Sequence, residues 1–169
     1  ARDSEFVPAV IALGYPGPKR RIADALIEAH HSKANRRAEW DALFFDNNSF
    51  DTPANAAVAG RSTALLRAVH AAPSSCNTQP WRIVKDGDHQ FHFFFQRNRS
   101  YSRKDKLIGN ADLQQIDMGI AMRHFEIAAQ ACGIKGEWSV LEKTDTRNIP
   151  AKAEYLVSWL DAYSSKRKS

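Results

Sequence analysis

In the stretch Ala72-Pro73-Ser74-Ser75-Cys76-Asn77-Thr78-Gln79-Pro80-Trp81, two prolines bracket Ser74, Ser75, Asn77 and Gln79, which crowd hydroxyl and amide groups into six consecutive positions. Proline restricts the backbone, so this segment predicts a rigid loop carrying several donors and acceptors. Such a loop suits a flat heteroaromatic ring with polar edges. A capped turn, in which Ser and Asn bond their own backbone, is the equal alternative. The short motifs of hydrolases, metalloproteases and nucleotide-binding folds are absent, and no side-chain acid, base or nucleophile is singled out as catalytic. His89 and His92 stand three apart on an expected strand, which puts them on opposite faces and argues against a shared metal. His30, His31 and His124 read as packing or surface histidines, so no metal site is expected. Cys76 has no histidine beside it in a recognisable order and reads as a small buried residue.

The elements that must hold this loop follow from periodicity. Ser62 to His70 predicts a helix with Leu65, Leu66 and Val69 on its apolar side. Trp81 to Lys85 and His89 to Phe95 predict two strands joined at Asp86-Gly87, with Phe91, Phe93 and Phe95 alternating on the core face. After a polar loop, Gln96 to Asn110, a helix is expected from Ala111 to Cys132 with Leu113, Ile116, Ile120, Phe125 and Ala128 inward and Gly133 as its cap. A strand over Gly136 to Leu141 and an amphipathic helix over Pro150 to Tyr163, carrying Leu156, Val157 and Leu160, complete this half. Before the loop, Val7 to Leu13 predicts a buried strand, residues 19–31 a helix, and Trp40, Leu43, Phe44 and Phe45 a short apolar cluster. Residues 46–60, rich in turn formers, read as a linker. Strands and helices mix without a βαβ rhythm, so the fold class is α+β.

Composition sets the outer limits. With 169 residues, 43% hydrophobic, 25% charged and 10% aromatic, the chain is an ordinary globular one. Phe6 to Tyr15 is too short and too broken by Pro8 and Gly14 to cross a membrane. Two distant cysteines without CxxC spacing fit a reducing compartment, and a cytoplasmic location is expected. The opening residues do not resemble a signal peptide, and without a starting Met the chain reads as a processed product or a fragment. The net charge of +5 is concentrated at Lys19 to Arg37 and at the Lys166-Arg167-Lys168 tail. It would steer a phosphorylated ligand or nucleic acid. Because alternating aromatics on a strand usually face a core, neither nucleic acid nor membrane is expected as a partner.

The helix–APSSCNTQPWRIV–strand arrangement resembles the nitroreductase-like flavoproteins, whose loop of the form A-P-S-x-x-N-x-Q-P-W contacts bound FMN. Asp117-Met118-Gly119-Ile120-Ala121, His124-Phe125-Glu126 and Gly133 to Trp138 are similar to the long central helix and following strand of the branch in which two copies of the fold are fused. Val10 to Tyr15, Lys33, Arg36-Arg37 and Leu43 to Phe45 resemble the end of the first copy. The resemblance implies a mainly antiparallel sheet flanked by helices, with residues 1–45 as the tail of a first copy, 46–60 as linker and 61–169 as a second copy. It also implies that Pro73, Ser74, Ser75, Asn77 and Gln79 line the isoalloxazine ring and that Lys33 and Arg36 meet the FMN phosphate. Cationic groups hold a phosphate monoester well whatever the family. The activity implied is an FMN-dependent oxidoreductase passing electrons from NAD(P)H to a nitroaromatic or quinone acceptor. The family's arginine- and serine-rich phosphate motif lies before this chain's first residue, and Arg97 to Arg103 imitates it in the wrong order. Two outcomes are therefore expected: a separate chain carries the missing half, or the chain is an incomplete, non-catalytic flavin- or partner-binding module.

Overall fold

The computed structural model describes residues 15, 37–57, 60–98 and 112–162. The chain divides into two compact units, Ala1–Lys33 and Ala34–Ser169, and every described helix and strand belongs to the second. The strand expected over residues 7–13, the helix over 19–31, and Lys33 and Arg36 lie outside the described residues.

In chain order the second unit contains α1 (Trp40–Leu43), β1 (Phe44–Asp46), β2 (Ser49–Pro53), α2 (Arg61–Ala71), β3 (Trp81–Asp86) and β4 (Gln90–Gln96). The long helix α3 (Leu113–Ala131), β5 (Gly136–Ser139) and β6 (Ala153–Asp161) come next. Six strands form one sheet in the order β2-β1-β3-β4-β6-β5. Every neighbouring pair is antiparallel except β1 with β3. The architecture is α+β, as expected. The β3–β4 hairpin turns at Gly87, whose φ of +62 is a conformation that only glycine adopts without strain.

Strand alternation decides which face is core. Trp81 and Ile83 on β3, Phe91, Phe93 and Phe95 on β4, and Val157 and Trp159 on β6 pack with Phe125 of α3 and Leu65, Leu66 and Val69 of α2. Phe125 is the hub, with ring centroids 4.9 Å from Phe91, 5.4 Å from Phe93, 5.9 Å from Trp138 and 5.7 Å from Trp159. The opposite face carries a smaller cluster of Phe45, Phe50, Val84 and Phe94. With Phe91, Phe93 and Phe95 buried, these aromatics offer no stacking platform for bases.

Four expectations are corrected. Residues 46–60 are not a linker over their whole length: they hold the end of β1 and all of β2, and β1 hydrogen-bonds to β3. The turn formers there serve a hairpin, with Asn47 and Asn48 at φ 53 and 51. Residues 153–161 are a strand, not a helix. A bulge at Leu156, which lets Phe93 pair with Val157 and Phe94 with Tyr155, disrupts the two-residue period that would have betrayed it. On α3 the buried face is Gln114, Asp117, Met118, Ala121, Phe125 and Ala129, while Ile116 is half exposed. Phe125 is inward as expected, and Ile120 and Ala128 pack at the edge of the core, but Ile116 turns outward because the buried positions of the first two turns include the polar Gln114 and Asp117, which serve neighbouring loops. Finally, Cys76 is exposed, at the tip of the proline-bracketed turn.

Candidate functional site

The turn between α2 and β3 has an unusual backbone. Ser75–Asn77 make a single 3-10 turn, and Cys76, Asn77 and Gln79 all have positive φ, at 48, 53 and 45. For residues other than glycine such angles are costly, up to about 1–3 kcal/mol each, and persist only where the surroundings over-determine them. Local bonds supply part of that determination. The Asn77 N–H donates to Ser74 O at 2.9 Å and the Thr78 N–H to Ser75 O at 3.1 Å. The Gln79 N–H donates to the Ser74 hydroxyl oxygen at 3.0 Å, and Gln79 Nε2 donates to Asn77 O at 3.1 Å.

Other elements contribute the rest. Asp117, projecting from the second turn of α3, accepts the Ser75 N–H at Oδ1 (2.9 Å) and the Thr78 hydroxyl at Oδ2 (3.4 Å). Burial pushes the Asp117 carboxyl above its ordinary range; these two hydrogen bonds oppose the shift and the charge of Asp112 reinforces it. Arg37 donates to Ala72 O at 2.6 Å, Ala71 O at 2.9 Å and Asn77 Oδ1 at 3.3 Å. In doing so it satisfies carbonyls left open where α2 ends. The backbone of Ala38 donates to Gln79 Oε1 at 3.1 Å. Arg82 Nη1 bonds Gln79 O at 3.1 Å and Trp81 O at 2.6 Å, and burial lowers its pKa from the ordinary value. One turn before Asp117, Gln114 grips the backbone of Asn98 twice, accepting its N–H at 2.7 Å and donating to its carbonyl at 3.2 Å.

Pro73, Ser74, Ser75, Asn77 and Gln79 are thus brought together in one turn, but they present different surfaces. Pro73 is exposed, and Ser74, Ser75 and Asn77 are half-buried. Gln79 is 3% exposed, with both ends of its amide committed inside the protein, so it shapes the turn. The capped-turn alternative is met within the motif, where the half-buried Ser74 hydroxyl accepts the Gln79 N–H and the Gln79 amide donates to the Asn77 carbonyl. Sequence reasoning passed over Arg37, Arg82, Gln114 and Asp117. Arg37 was visible in the basic run, and Asp117 stands as a lone acid on a helix face otherwise apolar after Gln114.

A cleft of about 460 Å³ opens at the opposite end of α2, lined by Arg61, Ser62, Thr63, Trp40, Lys85 and Phe91 among others. No residue of the proline-bracketed turn lines it. Among the described residues no group of three or more His, Cys, Asp or Glu could hold a metal, and no helix is long and apolar enough to cross a membrane. The family model described as "Putative TM nitroreductase" matches residues 1–129. No curated protein and no solved structure matches the chain.

Proposed function

Because this chain belongs to the TM nitroreductase family, an oxidoreductase kind whose members generally bind flavin, we propose that it holds FMN against the Pro73–Gln79 turn. In this reading it passes electrons from NAD(P)H to a nitroaromatic or quinone acceptor. The observation that carries the reading is the left-handed backbone at Cys76, Asn77 and Gln79, fixed from α3 and from Arg37, with half-buried hydroxyl and amide side chains upon it. Pre-organised polar groups of this kind fit the polar edge of an isoalloxazine. Ser74 is suited to donate: its oxygen already accepts the Gln79 N–H, and none of the described residues accepts its proton.

Bound flavin would supply the hydride and electron chemistry. The chain's own residues bind and orient. Ser74, Ser75 and Asn77 meet the ring's polar edge, Pro73 packs beside it, and Gln79 holds the turn's shape. Lys33 and Arg36 lie outside the described residues, and the resemblance alone makes them candidates for the phosphate. Donors aimed at the ring favour its more negative reduced form.

The visible absorption spectrum of the purified chain, followed by reconstitution with FMN, tests this. A yellow preparation, or one that takes up FMN stoichiometrically and then oxidises NAD(P)H, is expected. Asn77→Ala is expected to weaken FMN retention about tenfold, the worth of one well-placed hydrogen bond. A colourless protein that cannot be reconstituted overturns the reading and leaves a module without turnover.

A further inference from the structure

We propose that Asp117 and Arg37 are positioning residues that hold the Ser74–Thr78 turn in its left-handed shape, and that flavin retention, which rests on the proposed function, depends on this clamp although neither side chain touches the ring. Asp117 is 3% exposed, and its two oxygens receive the Ser75 N–H and the Thr78 hydroxyl. Its surface and both of its oxygens are therefore turned to the turn and not to a ligand. Arg37 reaches the same turn from the segment before α1, bonding the Asn77 side chain together with the Ala71 and Ala72 carbonyls that end α2.

The need for a clamp lies in the backbone it restrains. Cys76 has no side-chain feature that favours a φ of 48, and Gln79 has none that favours 45. Bonds from within the turn come from Ser74 and Gln79, which move with it. Only contacts from outside can fix the turn relative to α2 and α3; Ala38 and Arg82 hold its Gln79 end, and Asp117 and Arg37 bond the Ser75–Thr78 part. The requirement on Asp117 is for hydrogen-bonding shape: an asparagine amide can accept the Ser75 N–H with its oxygen while its nitrogen donates to the Thr78 hydroxyl oxygen.

Two measurements on the full chain test this, using Asp117→Ala, Asp117→Asn and Arg37→Gln. Amide hydrogen exchange without ligand reads the turn directly. In Asp117→Ala, exchange across residues 74–79 is expected to rise at least about tenfold, with β3 and β4 unchanged, and Asp117→Asn is expected to restore slow exchange. FMN affinity, read by quenching of flavin fluorescence, is expected to fall about tenfold in Asp117→Ala and to stay within about threefold of wild type in Asp117→Asn. Should Asp117→Ala fail to fold, Arg37→Gln, whose side chain is only partly buried, carries the same pair of measurements. Unchanged exchange in a folded variant overturns the clamp. So does faster exchange with unchanged FMN affinity, and so does an Asn variant as impaired as Ala. Wild-type protein that takes up no FMN, while exchange still responds to Asp117→Ala, supports the clamp and sinks the flavin reading alone.

Discussion

Asp117 brings a liability along with its contacts, because a carboxylate is held on a helix face that the sheet and the turn have covered. Burial raises its pKa above the ordinary 3.8, so the folded chain holds that proton more tightly than the unfolded one. The stability this group contributes is therefore greatest in acid and declines as pH climbs from the ordinary carboxylate value through the raised one. Asparagine is neutral throughout. Asp117→Asn is therefore expected to melt a few degrees higher than wild type at pH 7, with the gap closing by pH 3; a gap that does not vary with pH would refute this account. The half-buried residues of the candidate turn, Ser74, Ser75 and Asn77, stand out in the sequence because polar side chains between prolines are conspicuous. Asp117 and Gln114 do not, since each occupies a position where helical periodicity leads one to expect an apolar residue and each answers to a backbone group distant in sequence.

Among the elements, the β4–β6 pair is the one whose details matter most. On its second face, His92 Nδ1 lies 2.7 Å from the Ser158 hydroxyl, which lies 2.8 Å from the Tyr155 hydroxyl, and the Tyr155 hydroxyl accepts the Leu141 N–H at 3.1 Å. Burial lowers the His92 pKa below 6.5, against the opposing charges of Asp86 and Asp145. The unfolded chain thus takes up the proton first, and stability is lost as pH falls from about 6.5 toward the lowered value. The midpoint of urea unfolding is expected to drop between pH 7.5 and 5, and His92→Gln to flatten that drop; an equal drop in the variant would place the acid sensitivity elsewhere. Where β5 meets β6, a Cβ on Gly136 would sit 2.5 Å from Leu160 O and 2.7 Å from the Trp159 ring. Gly136→Ala is accordingly expected to lose on the order of 1–3 kcal/mol in urea unfolding, and a loss within error of zero would mean that the edge strand shifts freely. The β3–β4 hairpin was readable because Asp-Gly sits between alternating apolar residues. β6 was misread because its bulge at Leu156 leaves 156, 157 and 160 at spacings that suit a helix.

For the whole molecule, the α+β class could be read from the mixture of element types, whereas the sheet order could not, because β1 joins β3 through a pairing that no local pattern announces. Charge is the other whole-molecule property the sequence states openly: 24 Lys and Arg against 19 Asp and Glu. If Lys33 and Arg36 serve a phosphate, that surplus has a measurable use, because a phosphate monoester brings up to two negative charges and riboflavin brings none. FMN is then expected to bind at least about tenfold more tightly than riboflavin at low ionic strength, since each charge-assisted contact is worth roughly 1.5–3 kcal/mol before screening. Raising the salt to about 1 M, where the screening length shrinks to about 3 Å, should narrow the preference. The double variant Lys33→Gln and Arg36→Gln should narrow it further while leaving riboflavin affinity where it was. Equal binding of the two flavins by wild type would show the basic run to be a solvated face, and the turn proposed to hold the ring would then have to account for all of the affinity.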